Sequence, residues 1–163
     1  MADLFEVAVD FILSVEGGLV DDPTDPGGLT KFGISQRAYP NLNIRELTAD
    51  AAKALYRQDY WNRCSCDKLP GAIAFVVFDC AVNQGVSASV RMLQRSLNVT
   101  QDGVIGPATL TAAAAQRPAA IIAEMIARRS LAYALSPIIA SNGLGWFRRL
   151  ARVHQVALNL DSH

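Results

Sequence analysis

The sequence predicts a mainly helical α+β fold: a helix bundle around a central apolar helix, with one small β-hairpin after the first helix. Three observations predict it. Apolar residues recur at helical spacing along most of the chain, enough for roughly six to eight helices. The segment from Gly71 to Gln84 is apolar nearly all round, which marks a buried helix. One stretch alone, Val15 to Ser35, gathers Gly, Pro and Asp ahead of a short alternating segment of strand type. At 163 residues the chain is long enough for one domain, 1–163, with its own core. No linker rich in Pro, Gly or Ser divides it, and no internal repeat is visible.

Leu4, Ala8, Ile12 and Glu16 are spaced by four and share a helix face, widened by Phe5, Phe11 and Val15. Glu16 closes that stripe, and Gly17-Gly18 stop the helix. An apolar surround and the negative end of the helix dipole both disfavour a carboxylate there, a setting that suits a general acid. A glutamate that merely snorkels at a helix end fits the same pattern.

The loop beyond carries Asp21, Asp22 and Asp25, and Thr30 follows. Two carboxyl groups in unlike surroundings divide the labour of breaking a glycosidic bond. One gives a proton to the leaving oxygen; the other steers water or stabilises positive charge. Asp25 is the candidate for the second role, and the Thr30 hydroxyl for holding the water. The Asp-Pro pairs also read as plain turn formers.

Leu29, Phe32 and Ile34 predict a short strand paired with Leu19 and Val20. Ser35 reads as the N-cap of a brief helix that Pro40 ends. Thr48 reads as the N-cap of a helix to about Asn62, bearing Tyr56, Tyr60 and Trp61. Such aromatics belong to a core or stack on sugar rings; Tyr60 and Trp61 are the candidates for substrate contact. On the apolar helix opened by Pro70, Asp79 and Asn83 are four apart on one face. They form either a core polar network or a polar strip that holds substrate, with Asn83 the better binding candidate. A helix follows over Ser87 to Asn98, then a turn and helix start at Asp102 to Leu110, then a helix from Pro118 to about Ala134 that Pro137 ends. Asn142 to Gly145 reads as a break, and Trp146 to Leu158 as a last helix with Arg148, Arg149 and Arg152 towards solvent.

Lysines plus arginines equal aspartates plus glutamates, 15 each, so no basic field points to nucleic acid and no polybasic run to a membrane surface. No apolar run reaches the roughly 18 residues of a membrane span. The N-terminal residues lack a basic region and carry Asp3, Glu6 and Asp10, so no signal peptide is expected. Cys64, Cys66 and Cys80 are an odd number with a C-x-C pair, which argues against a disulfide framework. Neither His154 nor His163 completes a metal-ligand spacing, and Cys80 reads as a small core residue. Neither a metal nor a cofactor is expected, and the protein is expected to be a monomer.

Glu16-Gly17-Gly18, Asp22-Pro23, Asp25-Pro26-Gly27-Gly28, Thr30-Lys31 and Phe32-Gly33-Ile34-Ser35 together resemble the opening motif of the family-108 glycoside hydrolases. These are N-acetylmuramidases found as phage endolysins and as secretion-associated muramidases. The resemblance continues through Tyr56 to Trp61, Asp79 to Gly85 and Asp102 to Leu110. It implies a lysozyme-like fold and cleavage of the β-1,4 bond between N-acetylmuramic acid and N-acetylglucosamine, with Glu16 as catalytic acid. The order Glu16, Asp25, Thr30 also resembles the triad of phage-type lysozymes, with the Asp-to-Thr spacing one residue shorter. Residues 1–85 would be the catalytic part. Residues 86–163 would be a helical part, in which Asp102 to Thr109 resembles the D-G-x-I-G-P-x-T segment of small peptidoglycan-binding modules. Made without a signal peptide, such an enzyme acts on the wall in the periplasm and needs a holin or an export route to reach it. Two other readings stay open: a lytic transglycosylase using Glu16 alone, and a wall-binding module without catalysis.

Overall fold

The computed structural model describes residues 3–16 and 28–162. They fall into two compact units, Met1–Asp59 and Tyr60–His163.

In the first unit, α1 (Leu4–Glu16) buries Phe5, Ala8, Val9, Phe11 and Ile12, the stripe that its spacing predicts. Asp3 caps it, accepting from the Phe5 backbone N–H at 3.1 Å. α2 (Ala49–Tyr56) starts where the sequence places it, with the Thr48 side chain accepting from the Ala51 N–H. The two helices are stitched by ions: Lys53 Nζ lies 2.7 Å from both Glu6 and Asp10, and Arg57 Nη2 lies 2.7 Å from Asp3. The Arg57 guanidinium also covers the Phe5 ring at 4.2 Å. The helical path then widens into a π turn, Arg57–Trp61.

A tight hairpin lies between these helices in sequence. β1 (Thr30–Lys31) pairs antiparallel with β2 (Ile34–Ser35), Thr30 opposite Ser35 and Lys31 opposite Ile34. This corrects the expectation of one strand through Leu29, Phe32 and Ile34. Phe32 (φ 54°) and Gly33 (φ 77°) both turn left-handed, the demand of a two-residue hairpin, so the segment pairs with itself. The expected partners Leu19 and Val20 lie outside the described residues. Lys31 Nζ donates to the Arg45 carbonyl at 2.9 Å and ties the hairpin to a 3-10 turn, Ile44–Glu46. Ser35 does cap, accepting from the Ala38 N–H, but it closes a turn rather than a helix.

The second unit is built on α3 (Gly71–Gln84), whose residues from Ala72 to Ala81 are all buried. Against it pack α4 (Val86–Ser96), α6 (Pro118–Ala134), α7 (Ile139–Asp161) and the 3-10 turn Cys66–Lys68. α5 (Pro107–Ala115) and α6 each open on a proline, where the missing N–H costs nothing. Between α4 and α5, Asp102 accepts from the Gln94 side chain at 2.6 Å and from the Val104 N–H at 2.9 Å. Those donors, Gln94 first, hold its carboxyl below the usual range. The Gly103 N–H donates to the other end of the Gln94 amide at 2.9 Å. The Asp-Gly motif is thus a turn locked onto one buried glutamine.

The expected break at Asn142 to Gly145 is absent. α7 runs unbroken through both glycines. Gly143 is buried, and the nearest atom to a Cβ there would be Ile139 Cγ1, one turn earlier on the same helix, at 2.9 Å. A helical glycine costs about 1 kcal/mol, an amount that burial of Leu150, Val153 and Ala157 on the same helix exceeds. No helix among the described residues is long and apolar enough to cross a membrane.

Candidate active site

Glu16 ends α1 half-buried. The turn of the hairpin backs onto it: a Cβ at Gly33 would stand 2.8 Å from Glu16 Cγ, 2.9 Å from its Cβ and 2.5 Å from Tyr56 Oη. The Tyr56 hydroxyl in turn donates to the Phe32 carbonyl at 2.8 Å. The helix end and the buried tyrosine therefore both close on the turn at Gly33, and glycine is the residue that lets them. Thr30 sits on the same hairpin, half-buried, its hydroxyl donating to the Gly28 carbonyl at 3.3 Å. Asp25 lies outside the described residues, as do Asp21 and Asp22.

The candidates of the second unit separate by burial. Tyr60 is half-buried. Trp61 is only 1% exposed; its indole N–H donates to Asp67 at 2.7 Å and its ring meets Phe78 edge-on at 5.3 Å. In this structure Trp61 is a core residue with no ring face left for a sugar. Asn83 is half-buried, and its Oδ1 accepts from the Tyr133 hydroxyl. Tyr133 stacks on Trp146 with ring centres 4.8 Å apart.

Asp79 resolves towards the core network. Its side chain is 1% exposed and lies 2.7 Å from Arg129 Nη2 and 2.9 Å from Arg149 Nε. Arg129 is itself fully buried. Burial opposes its charge, but the Asp79 carboxylate outweighs that and holds the guanidinium protonated above its ordinary range. Arg149 was expected towards solvent and is instead 9% exposed. Its partner lies 70 positions earlier, beyond any helical periodicity. The one available signal was a carboxylate in an apolar helix, which requires a buried cation from elsewhere.

Cys64, Cys66 and Cys80 are free and buried. Burial pushes the Cys80 thiol up, and contact with Cys64 together with burial raises Cys66, so neither of these two is poised as a thiolate nucleophile; the same contact with Cys66 lowers Cys64. Among the described residues no group of three or more His, Cys, Asp or Glu side chains is arranged to hold a metal ion.

Comparison with known proteins adds three findings. A family described as Glycosyl hydrolase 108 matches residues 9–85. A second, described as Predicted Peptidoglycan domain, matches residues 88–151. Among solved structures, that of Brucella abortus SagA is 34% identical, with 98% of this chain and 96% of that chain covered and a TM-score of 0.89. No curated protein matches.

Proposed function

This chain belongs to the glycosyl hydrolase 108 family and is a peptidoglycan hydrolase; from that premise we propose that it cleaves the β-1,4 bond between N-acetylmuramic acid and N-acetylglucosamine. The observation that carries the reading is Glu16, a carboxyl at a helix end whose stem is packed against Gly33 of the turn that Tyr56 holds. A general acid must be held within hydrogen-bond reach of the oxygen that it protonates, and a packed stem limits its wandering.

Glu16 gives its proton to the glycosidic oxygen, and the bond to the sugar carbon breaks as that oxygen leaves as a hydroxyl. Positive charge on the ring carbon is stabilised by Asp25. A water held by Asp25 and Thr30 then attacks: its oxygen bonds to carbon and its proton passes to Asp25. Tyr60 and Asn83 are the proposed sugar contacts. Residues 1–85 carry this chemistry, and residues 86–163 hold the wall. The cellular role that fits is host lysis by a phage endolysin, helped across the inner membrane by a holin.

The test is digestion of purified peptidoglycan with mass spectrometry of the new ends. Reducing N-acetylmuramic acid ends are expected. Anhydro ends would overturn hydrolysis in favour of a transglycosylase, and binding without new ends would leave a wall-binding module. Glu16→Gln, folded by circular dichroism, is expected to lose about 10²- to 10⁴-fold in rate, the usual contribution of a general acid; full activity would remove Glu16 from the mechanism.

A further inference from the structure

Between α4 and α6, on the opposite theme from the sugar chemistry, runs a groove of about 320 Å³. Ala88, Arg91, Met92 and Arg95 line it from α4; Arg128, Leu131 and Ala132 line it from α6, with Leu135 at its C-cap. Both sets follow the spacing i, i+3, i+4, i+7, so each helix turns one full stripe to the groove. Apolar side chains and three arginines line it together, in a chain whose net charge is zero.

The arginines are arranged rather than scattered. Arg91 is anchored by donating to the Gln101 and Asp102 carbonyls, the latter at 3.3 Å, which fixes its head beside the groove and leaves further guanidinium donors. Arg128 pairs with Glu124 one turn back, while its Nε is buried without a hydrogen-bond partner among the described residues. Arg95 is exposed one turn beyond Arg91 on the α4 stripe. Glu124 offsets one positive charge, and the Asp102 carboxylate is already committed to Gln94 and Val104. Leu131 is 60% exposed and Leu135 76%, two large apolar side chains held open to water on one helix face.

We propose that this groove binds the stem peptide of peptidoglycan through its carboxylates. The glycan hydroxyls and acetamides are neutral: they accept single hydrogen bonds but offer an arginine no charge and no bidentate carboxylate. The peptide attached to the lactyl group carries free carboxylates beside methyl-bearing alanine residues. That combination matches a groove lined by leucine and alanine together with guanidinium forks, the pairing in which arginine excels. The inference rests on the chain acting on peptidoglycan, not on which glycosidic bond is cut. It makes this part of the molecule a reader of the peptide rather than of the sugar.

The experiment uses the full chain and a free tripeptide, alanyl-glutamyl-diaminopimelate, followed by amide chemical shifts and calorimetry. Expected are saturable shifts in α4 and α6, loss of binding when the peptide carboxylates are amidated, and affinity lowered about tenfold or more in Arg95→Glu, the order of one charge-assisted hydrogen bond. A second variant, Leu135→Ser, is expected to weaken binding without altering its response to amidation. Binding that survives amidation, shifts confined to other helices, or no binding at concentrations where peptidoglycan itself pellets the protein would overturn the proposal. Release of reducing ends from peptide-free glycan by the unaltered protein reports separately on the hydrolase reading, so either can fail without the other.

Discussion

A methyl group added at Gly33 would lie 2.5 Å from the Tyr56 hydroxyl and inside contact distance of the Glu16 stem, at a residue whose φ of 77° already disfavours side chains. Gly33→Ala is therefore expected to cost about 1–3 kcal/mol in stability. It should also lower turnover, because Glu16 must shift to make room. Urea unfolding and reducing-end release measure the two effects. Gly33→Asn separates their causes: asparagine tolerates left-handed backbone yet still brings a Cβ. If the clash dominates, asparagine is as harmful as alanine; if the backbone dominates, it recovers most of the loss. Tyr56 shows why such a site is only half legible in sequence. Its spacing marks it as a core aromatic, and it is one, but its hydroxyl supports a turn 24 positions earlier. Glu16 is a candidate because it ends an apolar stripe before two glycines; the packing of Gly33 against its stem has no local signal.

At the scale of elements, α1 and α2 are joined by one cation between two carboxylates. Hydrogen bonding to Asp10 and then Glu6 pushes the Lys53 ammonium up to about 12. A folded value above the unfolded one means that the pairing stabilises fully below about pH 10.5 and that its contribution is lost as pH rises towards 12. Lys53→Met is expected to unfold at lower urea near neutral pH and to show a flatter loss of stability between those two pH values, as followed by denaturation at stepped pH. Elements whose signals are local were read well: the Thr48 cap, the prolines opening α5 and α6, and the all-round apolar α3. The hairpin and α7 depart from their local signals for opposite reasons. The hairpin at Lys31 to Ile34 needed a left-handed phenylalanine that propensity disfavours. α7 kept two glycines that propensity would spend on a break, because burial of Leu150, Val153 and Ala157 on the same helix outweighs their cost.

Over the whole molecule, the family matches divide at residues 85 and 88, while the compact units divide after Asp59. α3 thus belongs to the hydrolase segment by sequence and to the second compact unit by packing. Asp79 lies on it, and Arg129 and Arg149 reach it from α6 and α7. Asp79→Asn leaves two buried guanidinium groups without their carboxylate and is expected to destabilise by about 3–5 kcal/mol, measured by urea unfolding. Replacing all three residues together by leucine and methionine is expected to return much of that loss, since buried ion pairs trade well against apolar packing of similar volume. Such a rescue would show that the charges are needed by one another rather than by the fold's stability.

The same triad fixes alignment. α7 presents a mostly aliphatic face, and aliphatic faces tolerate sliding by one helical turn, about 5.4 Å. A slip of four residues along α7 would set Val153 or Gly145 opposite Asp79 in place of Arg149 and strand a carboxylate in apolar surroundings. The ion pair acts as a detent: it gives the long terminal helix one seating on α3, and with it one position for every side chain that this helix presents.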